Sequence, residues 1–405
     1  MVLILVIWGL LQAASVPERM PGHSAGTISE RIAAAAPHDT VHVEAGVYTE
    51  PTIVIDRPLT LLGAPGAHIQ GTGGHELLVL AADSISVSGF TFSGVDRTFM
   101  EDRAAIRVQD ARGCRIANNT FRGVFFGIYM ARATDCHIES NTLRSQITSE
   151  TTGGNAVHAW YSTHLTIANN RIDGFRDGIY LEFTDDSRVE GNTSVNNLRY
   201  GLHFMFADRN AYTDNVFSDN RAGVAVMYAD GISMQRNVFR RAWGASAYGL
   251  LLKEIRRGEV LNNTFDGNSV ALLVESTDHM TFHGNTFAEN GWGIKLMASA
   301  IGNVFSDNTF RGNTFDVSTN SRTLDSRFEG NFWDTYKGYD LDRDGRGDVA
   351  HRPVTLFSVL VERHEPVIYL HRSLLVDVLN VAERLLPVLT PVELVDPQPR
   401  MRPPL

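Results

Sequence analysis

The chain has 405 residues, and its 36 Lys and Arg stand against 46 Asp and Glu for a formal charge of −10 at pH 7. That balance excludes nucleic acid as a partner, because a phosphate backbone demands a basic face. The length exceeds that of an ordinary single domain, yet a chain that grows by repetition can form one long domain, and this one repeats.

Residues 2–11 form an apolar run followed by the small residues Ala13, Ala14 and Ser15. The run suits the core of a signal peptide and is too short to span a bilayer. Residues 1–15 are therefore read as a leader for export, the competing reading being a buried N-terminal strand. Next, "GTISERIAAAA" sets Ile28, Ile32 and Ala35 on one side of a short helix. Such a helix can plug the open end of a repeat stack, where a bare rung would offer free strand edges. "DTVHVEAGVYTE" and "TIVIDRPLTLLGA" supply the first strands.

From about residue 103 to 333 one asparagine recurs per repeat: Asn119, Asn141, Asn170, Asn192, Asn215, Asn237, Asn263, Asn285, Asn308 and Asn331. Most steps are 22 or 23 residues, and the flanking positions three before and two after are apolar at nineteen of twenty places. A fixed period in the low twenties marks a solenoid. Near each repeat's start comes an apolar-x-apolar strand such as "GIYM", "GIYL" or "GLHF", an alternation of strand and not of helix. The fold expected is all-β, a right-handed parallel β-helix of about three short strands per rung, rungs roughly 4.8 Å apart. The anchor Asn is expected at a left-handed turn, its amide bonded to the equivalent amide one rung along.

A 29-residue step puts an insertion near 147–153, and a 26-residue step a smaller one near 243–247. Insertions in a solenoid become side loops. The two cysteines, Cys114 and Cys136, each lie five residues before an anchor. They are read as thiols stacked inside one core column, since adjacent rungs hold Cβ atoms at about 4.8 Å where a disulfide wants about 3.8 Å.

The repeat ends near residue 336, so residues 25–336 are read as the solenoid with its cap and 337–351 as an acidic loop. "DLDRDGRGD" supplies Asp340, Asp342, Asp344 and Asp348, with His351 where an EF-hand would place Glu. A solvated turn and a Ca²⁺ loop stay open as alternatives. Residues 352–405 form a proline-divided apolar tail in which "SLLVDVLNVAERLLP" is helical. Leu374, Leu375, Val378, Leu379, Ala382, Leu385 and Leu386 share one face, which either caps the last rungs or docks a partner. Its charges rule out a membrane span.

With "GIYLEF" as the frame, two columns point outward. The first runs Arg107, Tyr129, His158, Tyr180, His203, Ala225, Leu251, Leu273, Lys295, and the second Gln109, Ala131, Trp160, Glu182, Met205, Met227, Lys253, Glu275, Met297. His203, Met205 and Met227 are the thioether and imidazole ligands that soft Cu(I) prefers, with Glu182 and His158 one and two rungs away. The same residues also suit a protein interface without metal. A rival from another class is a β-helix polysaccharide lyase or epimerase acting on acidic sugars. Its carboxylate-binding cations would have to be Arg107, Lys253 and Lys295, spread far apart along the axis.

Together, the repeat, the "GYDLDRDGRGD" loop, the tail "HRPVTLFSVLVERHEPVIYLHRSLLVDVLNVAERLLPVLTP" and the secretory start resemble the NosD family. The resemblance spans essentially the whole mature chain; the rung motif is weakly specific and the tail much more so. It implies a periplasmic, non-enzymatic copper-binding accessory protein for maturation of nitrous oxide reductase, a denitrification enzyme. The partners implied are the membrane and ATPase subunits of an ABC-type transporter, a copper chaperone and the apo-reductase. Copper would be cargo, and the membrane would be met only through protein partners.

Overall fold

The computed structural model describes residues 26–98, 100–386 and 389–404, so the expected leader lies outside the described residues. Every strand pairs in parallel with the strand three further along the chain, building sheets of thirteen, thirteen and twelve strands. The chain is therefore a parallel β-solenoid of about thirteen turns, each turn giving one strand to each sheet. Residues 22 to 29 apart sit over one another, as in Ile116, Ile138, Ile167, Val189 and Tyr212 of the first sheet.

Like packs on like inside. Phe239, Phe265, Phe287 and Phe310 stack with centroids 4.8 Å apart and close on Trp333 at 4.1 Å. Phe282, Phe305 and Phe328 repeat the pattern at 4.4 Å in another column. Each such burial is worth about 1.5–3 kcal/mol. Cys114 and Cys136 are free and buried, and the Cys114 N–H donates to Cys136 Sγ at 3.2 Å.

The anchor asparagines differ from expectation in one respect. It is the residue before the anchor that takes the left-handed φ, as at Asn118 (56°), Ser140 (55°) and Asn169 (55°). That kink turns the anchor inward, and all ten anchors are buried. Each but the last donates its backbone N–H and Nδ2 to the next anchor's Oδ1, for example Asn170 to Asn192 at 2.9 and 3.0 Å. The ladder satisfies buried amides that no strand pairing reaches.

Both ends are closed. Helix α1 (Ile28–Ala34), begun by a Thr27/Glu30 capping box, buries Ile28 and Ile32 against the first turn. At the other end Asn331 has no further asparagine to follow; its N–H and Nδ2 donate instead to Asp396 Oδ2 at 2.9 and 3.0 Å. The tail thus returns to end the ladder with a carboxylate. Helix α2 (Leu356–Arg363) lies on the outer face of the third sheet, Phe357 against Phe315 at 5.8 Å and Glu362 paired with Lys295 at 3.1 Å.

Helix α3 (Leu374–Leu385) forms where expected but does not lay its apolar face on the solenoid. Val376 is buried, whereas Leu374 is 79% and Leu385 75% exposed. Among the described residues no helix is long and apolar enough to cross a membrane.

Candidate functional site

The third sheet carries the candidate site on its outer face. Its strands Val157–Trp160, Asp177–Glu182, Tyr200–Met205 and Ala222–Asp230 alternate inward residues (Ile179, Leu181, Leu202, Phe204) with outward ones. Glycine at the strand start lets neighbouring backbones close up: a Cβ on Gly223 would stand 2.3 Å from the Gly249 carbonyl oxygen.

The register aligns both outward columns. Tyr129, His158, Tyr180, His203 and Ala225 are successive Cα partners, as are Trp160, Glu182, Met205, Met227 and Lys253. In the first column Tyr129, His158, Tyr180 and His203 follow one another with ring centroids 4.6, 4.8 and 4.7 Å apart, His158 meeting Tyr180 edge to face and Tyr180 stacking on His203, and the Arg107 guanidinium caps the row 4.4 Å over Tyr129. Tyr180 therefore stands between the two histidines. Its hydroxyl lies 4.0 Å from Met205 Sδ. Glu182, Met205 and Met227 are half-buried and reachable from solvent.

Outward does not mean exposed here. His158 and His203 are only 6% and 7% accessible. Asp177, fully buried at the start of its strand, holds Arg199 through two hydrogen bonds of 3.1 and 2.9 Å. Arg199 in turn donates from Nη2 to His203 Nδ1 at 3.1 Å. Burial, with Arg199 and Arg176 alongside, pushes His203 down to about 3. Burial and the nearby Arg176 and Arg107 push His158 to about 3 as well. Both imidazoles are neutral.

That network decides what His203 can offer. A guanidinium is only a donor, so Nδ1 accepts and the ring proton sits on Nε2, which is buried without a partner. While Arg199 stays, His203 has no free lone pair for a metal. Glu182, Met205 and Met227 are not so engaged, and burial alone raises the Glu182 carboxyl. Beyond Met227 the face becomes apolar, with Ala225, Leu251 and Leu273 packed beneath Tyr200, Tyr248 and Met297.

Sequence reasoning passed over Asp177 and Arg199, although "RDG" and "RYG" at the starts of two of the strands displayed them. It also passed over the aromatic that follows the second column in four turns, at Tyr161, Phe183, Phe206 and Tyr228. The acidic loop holds its own cluster: ligand oxygens of Asp340, Asp342 and Asp344 lie within 4.8 Å of one another. Asp348 Oδ2 instead accepts the Leu341 N–H at 2.7 Å, which closes the loop. His351 is not part of that cluster; its ring lies tilted against Trp333 at 5.0 Å.

A family model described as "Periplasmic copper-binding protein (NosD)" matches residues 143–338. A protein of Pseudomonas aeruginosa named "Probable ABC transporter binding protein NosD" is 30% identical over 375 residues, covering 87% of this chain and 86% of that one. Its namesake in Stutzerimonas stutzeri is 29% identical over 381 residues, covering 88% and 86%.

Solved structures share the fold at low identity. The A-module of a mannuronan C-5 epimerase from Azotobacter vinelandii superposes with a TM-score of 0.53 at 14% identity, over 75% of this chain and 92% of that one. The catalytic unit of an α-1,3-glucanase from Streptomyces thermodiastaticus gives 0.56 at 15%, over 76% and 62%. Those likenesses carry the architecture alone. Sequence identity across nearly the whole length carries more, and by it the chain belongs to the NosD family.

Proposed function

We propose that this chain binds Cu(I) on the outer face of its third sheet and works in the periplasm to supply copper for maturation of nitrous oxide reductase. Its partners in this reading are a copper chaperone, the apo-reductase, and the membrane and ATPase subunits of an ABC-type transporter. The observation that carries the reading is the pairing of Met205 with Met227 on adjacent turns, Glu182 and His203 beside them. Two thioethers on strands about 4.8 Å apart favour a soft monovalent ion over Mg²⁺ or Ca²⁺. Half-burial suits cargo that must leave again. Arg199 makes His203 a conditional ligand, added only when the guanidinium swings off Nδ1.

The exposed apolar face of α3 supports docking against the transporter's membrane subunits, and the relatives' name as ABC transporter binding proteins agrees with that. A lyase or epimerase is disfavoured on the same face. Each cation it would need is already paired, Arg107 with Glu76, Lys253 with Glu275 at 3.2 Å and Lys295 with Glu362 at 3.1 Å. The test is transfer: the chain loaded with Cu(I) is mixed with apo-reductase and the enzyme's copper content followed. Transfer dependent on Met205 and Met227 supports the reading, whereas turnover of an alginate- or pectin-type polymer would replace it.

The acidic loop is proposed separately as a structural Ca²⁺ site of Asp340, Asp342 and Asp344, with Asp348 bracing the turn. Asp340 Oδ1 is buried without a hydrogen-bond partner, an orphan that a hard cation would satisfy.

A further inference from the structure

Immediately after the Glu182–Met205–Met227 column, four consecutive turns place a ring at a left-handed corner. These are Tyr161, Phe183, Phe206 and Tyr228, with φ of 47°, 48°, 53° and 56°. Bulky residues rarely adopt such angles, so the corner spends conformational energy to hold aromatics outward. The rings stack along the axis at 4.6, 5.1 and 4.9 Å. Their faces cover one another and their edges meet solvent, Tyr161 being 52% exposed.

Two residues past each of the last three rings stand Asp185, Asp208 and Asp230. Between the aromatic and carboxylate rows runs a trough of about 900 Å³, which continues past them along Glu254, Arg256 and Asp278. One oxygen of each of the first two carboxylates is structural: Asp208 N–H donates to Asp185 Oδ1 at 2.8 Å and Asp230 N–H to Asp208 Oδ1 at 2.9 Å. Their other oxygens approach only Arg209 among the described residues, at 3.4 and 3.9 Å. Arg209 is itself exposed and bound more closely to Asp186 at 2.8 Å. Exposed pairs of this sort are worth at most about 1 kcal/mol, so an incoming cation can replace Arg209 at little cost.

We propose that this trough is the docking track for an extended, lysine- or arginine-rich segment of a partner protein. Its cations would sit on Asp185 and Asp208, since Asp230 is already held by Arg257 at 3.0 Å, and its aliphatic stems along the ring edges. A sugar would need aromatic faces, and here the faces are stacked on one another. Met205 and Phe206 are consecutive, as are Met227 and Tyr228, so the occupant lies alongside the thioether pair. Under the copper reading, on which this extension rests, the trough selects the protein that gives or takes the ion. The docking itself needs no copper.

The test uses a fluorescein-labelled (Lys-Thr)4 peptide and anisotropy on the metal-free full chain. Binding should weaken as salt rises. It should fall about tenfold in an Asp185→Asn/Asp208→Asn variant, whose amide oxygens still accept the same backbone N–H groups. A melting curve matching the parent's shows that the variant is folded, and Phe206→Ser provides a second, charge-neutral disruption. Failure of the peptide to bind, equal binding by parent and variants, or preference for a (Glu-Thr)4 peptide or a neutral tetrasaccharide each overturns the proposal. Cu(I) affinity measured on the same variants should not change, so the trough and the copper site can fail separately.

Discussion

Replacing Asp396 by alanine tests how the solenoid ends. Its carboxylate accepts four buried N–H groups: Gly330 N at 3.0 Å, Asn331 N at 2.9 Å, Asn331 Nδ2 at 3.0 Å and Trp333 Nε1 at 3.1 Å. A buried donor left unpaired costs about 1–3 kcal/mol. Water can reach the end of a stack, so the low end applies to each, giving about 4 kcal/mol in all. Solenoid turns are held mainly by their neighbours, so the loss should begin at the last turns and spread inward. Asp396→Asn keeps one acceptor oxygen, as every anchor asparagine does, and should lose roughly half as much. Urea denaturation gives the totals, and amide exchange at Asn308 and Asn331 locates them. An Asp396→Ala protein within about 1 kcal/mol of the parent, with unchanged exchange in the last turns, would refute a carboxylate-terminated ladder.

Acid should destabilise the fold. His158 and His203 titrate at about 3 and His351 at about 4 in the folded chain. Their unfolded value is near 6.5, so between those limits the unfolded state binds more protons and stability falls as pH falls, by about 1.4 kcal/mol per unit for each group. Asp316, raised to about 7 by burial, works the other way below that pH, as do Asp177 and Glu182, which burial also raises, and the three histidines outweigh them. Urea midpoints from pH 7 to pH 4.5 should therefore decline, and a rise would contradict the buried neutral histidines. Ca²⁺ should raise the melting temperature of the parent and not of Asp342→Asn, since a ligand stabilises only the state that binds it; equal shifts would leave the acidic loop a solvated turn. Val378→Asp/Leu385→Asp should leave melting within a few degrees, because both side chains already face solvent, yet abolish co-purification with the transporter. Retained co-purification would remove α3 from the interface.

What was legible followed from spacing. Ten asparagines at near-constant steps fixed which residues stack, and so aligned Met205 with Met227. The same spacing put Cys114 and Cys136 in one inner column, and both are 1% exposed. Burial on the outer face was not legible, because His203 is covered by Arg199, which is held by Asp177 from the preceding turn, a relation no one-dimensional column expresses. The left-handed residue was misplaced by one because Asn suits both a turn and a buried ladder, and here its amide was needed inside. Asp396 lay 65 residues beyond the anchor it completes, too far for any period to reveal.

The central claim is most directly tested by Cu(I) affinity, measured anaerobically against a competing chelator, for the parent and a Met205→Leu/Met227→Leu variant that keeps shape and apolarity. The paired thioethers predict at least a tenfold loss in the variant, about 1.4 kcal/mol. Equal affinity in the two proteins would place the copper elsewhere.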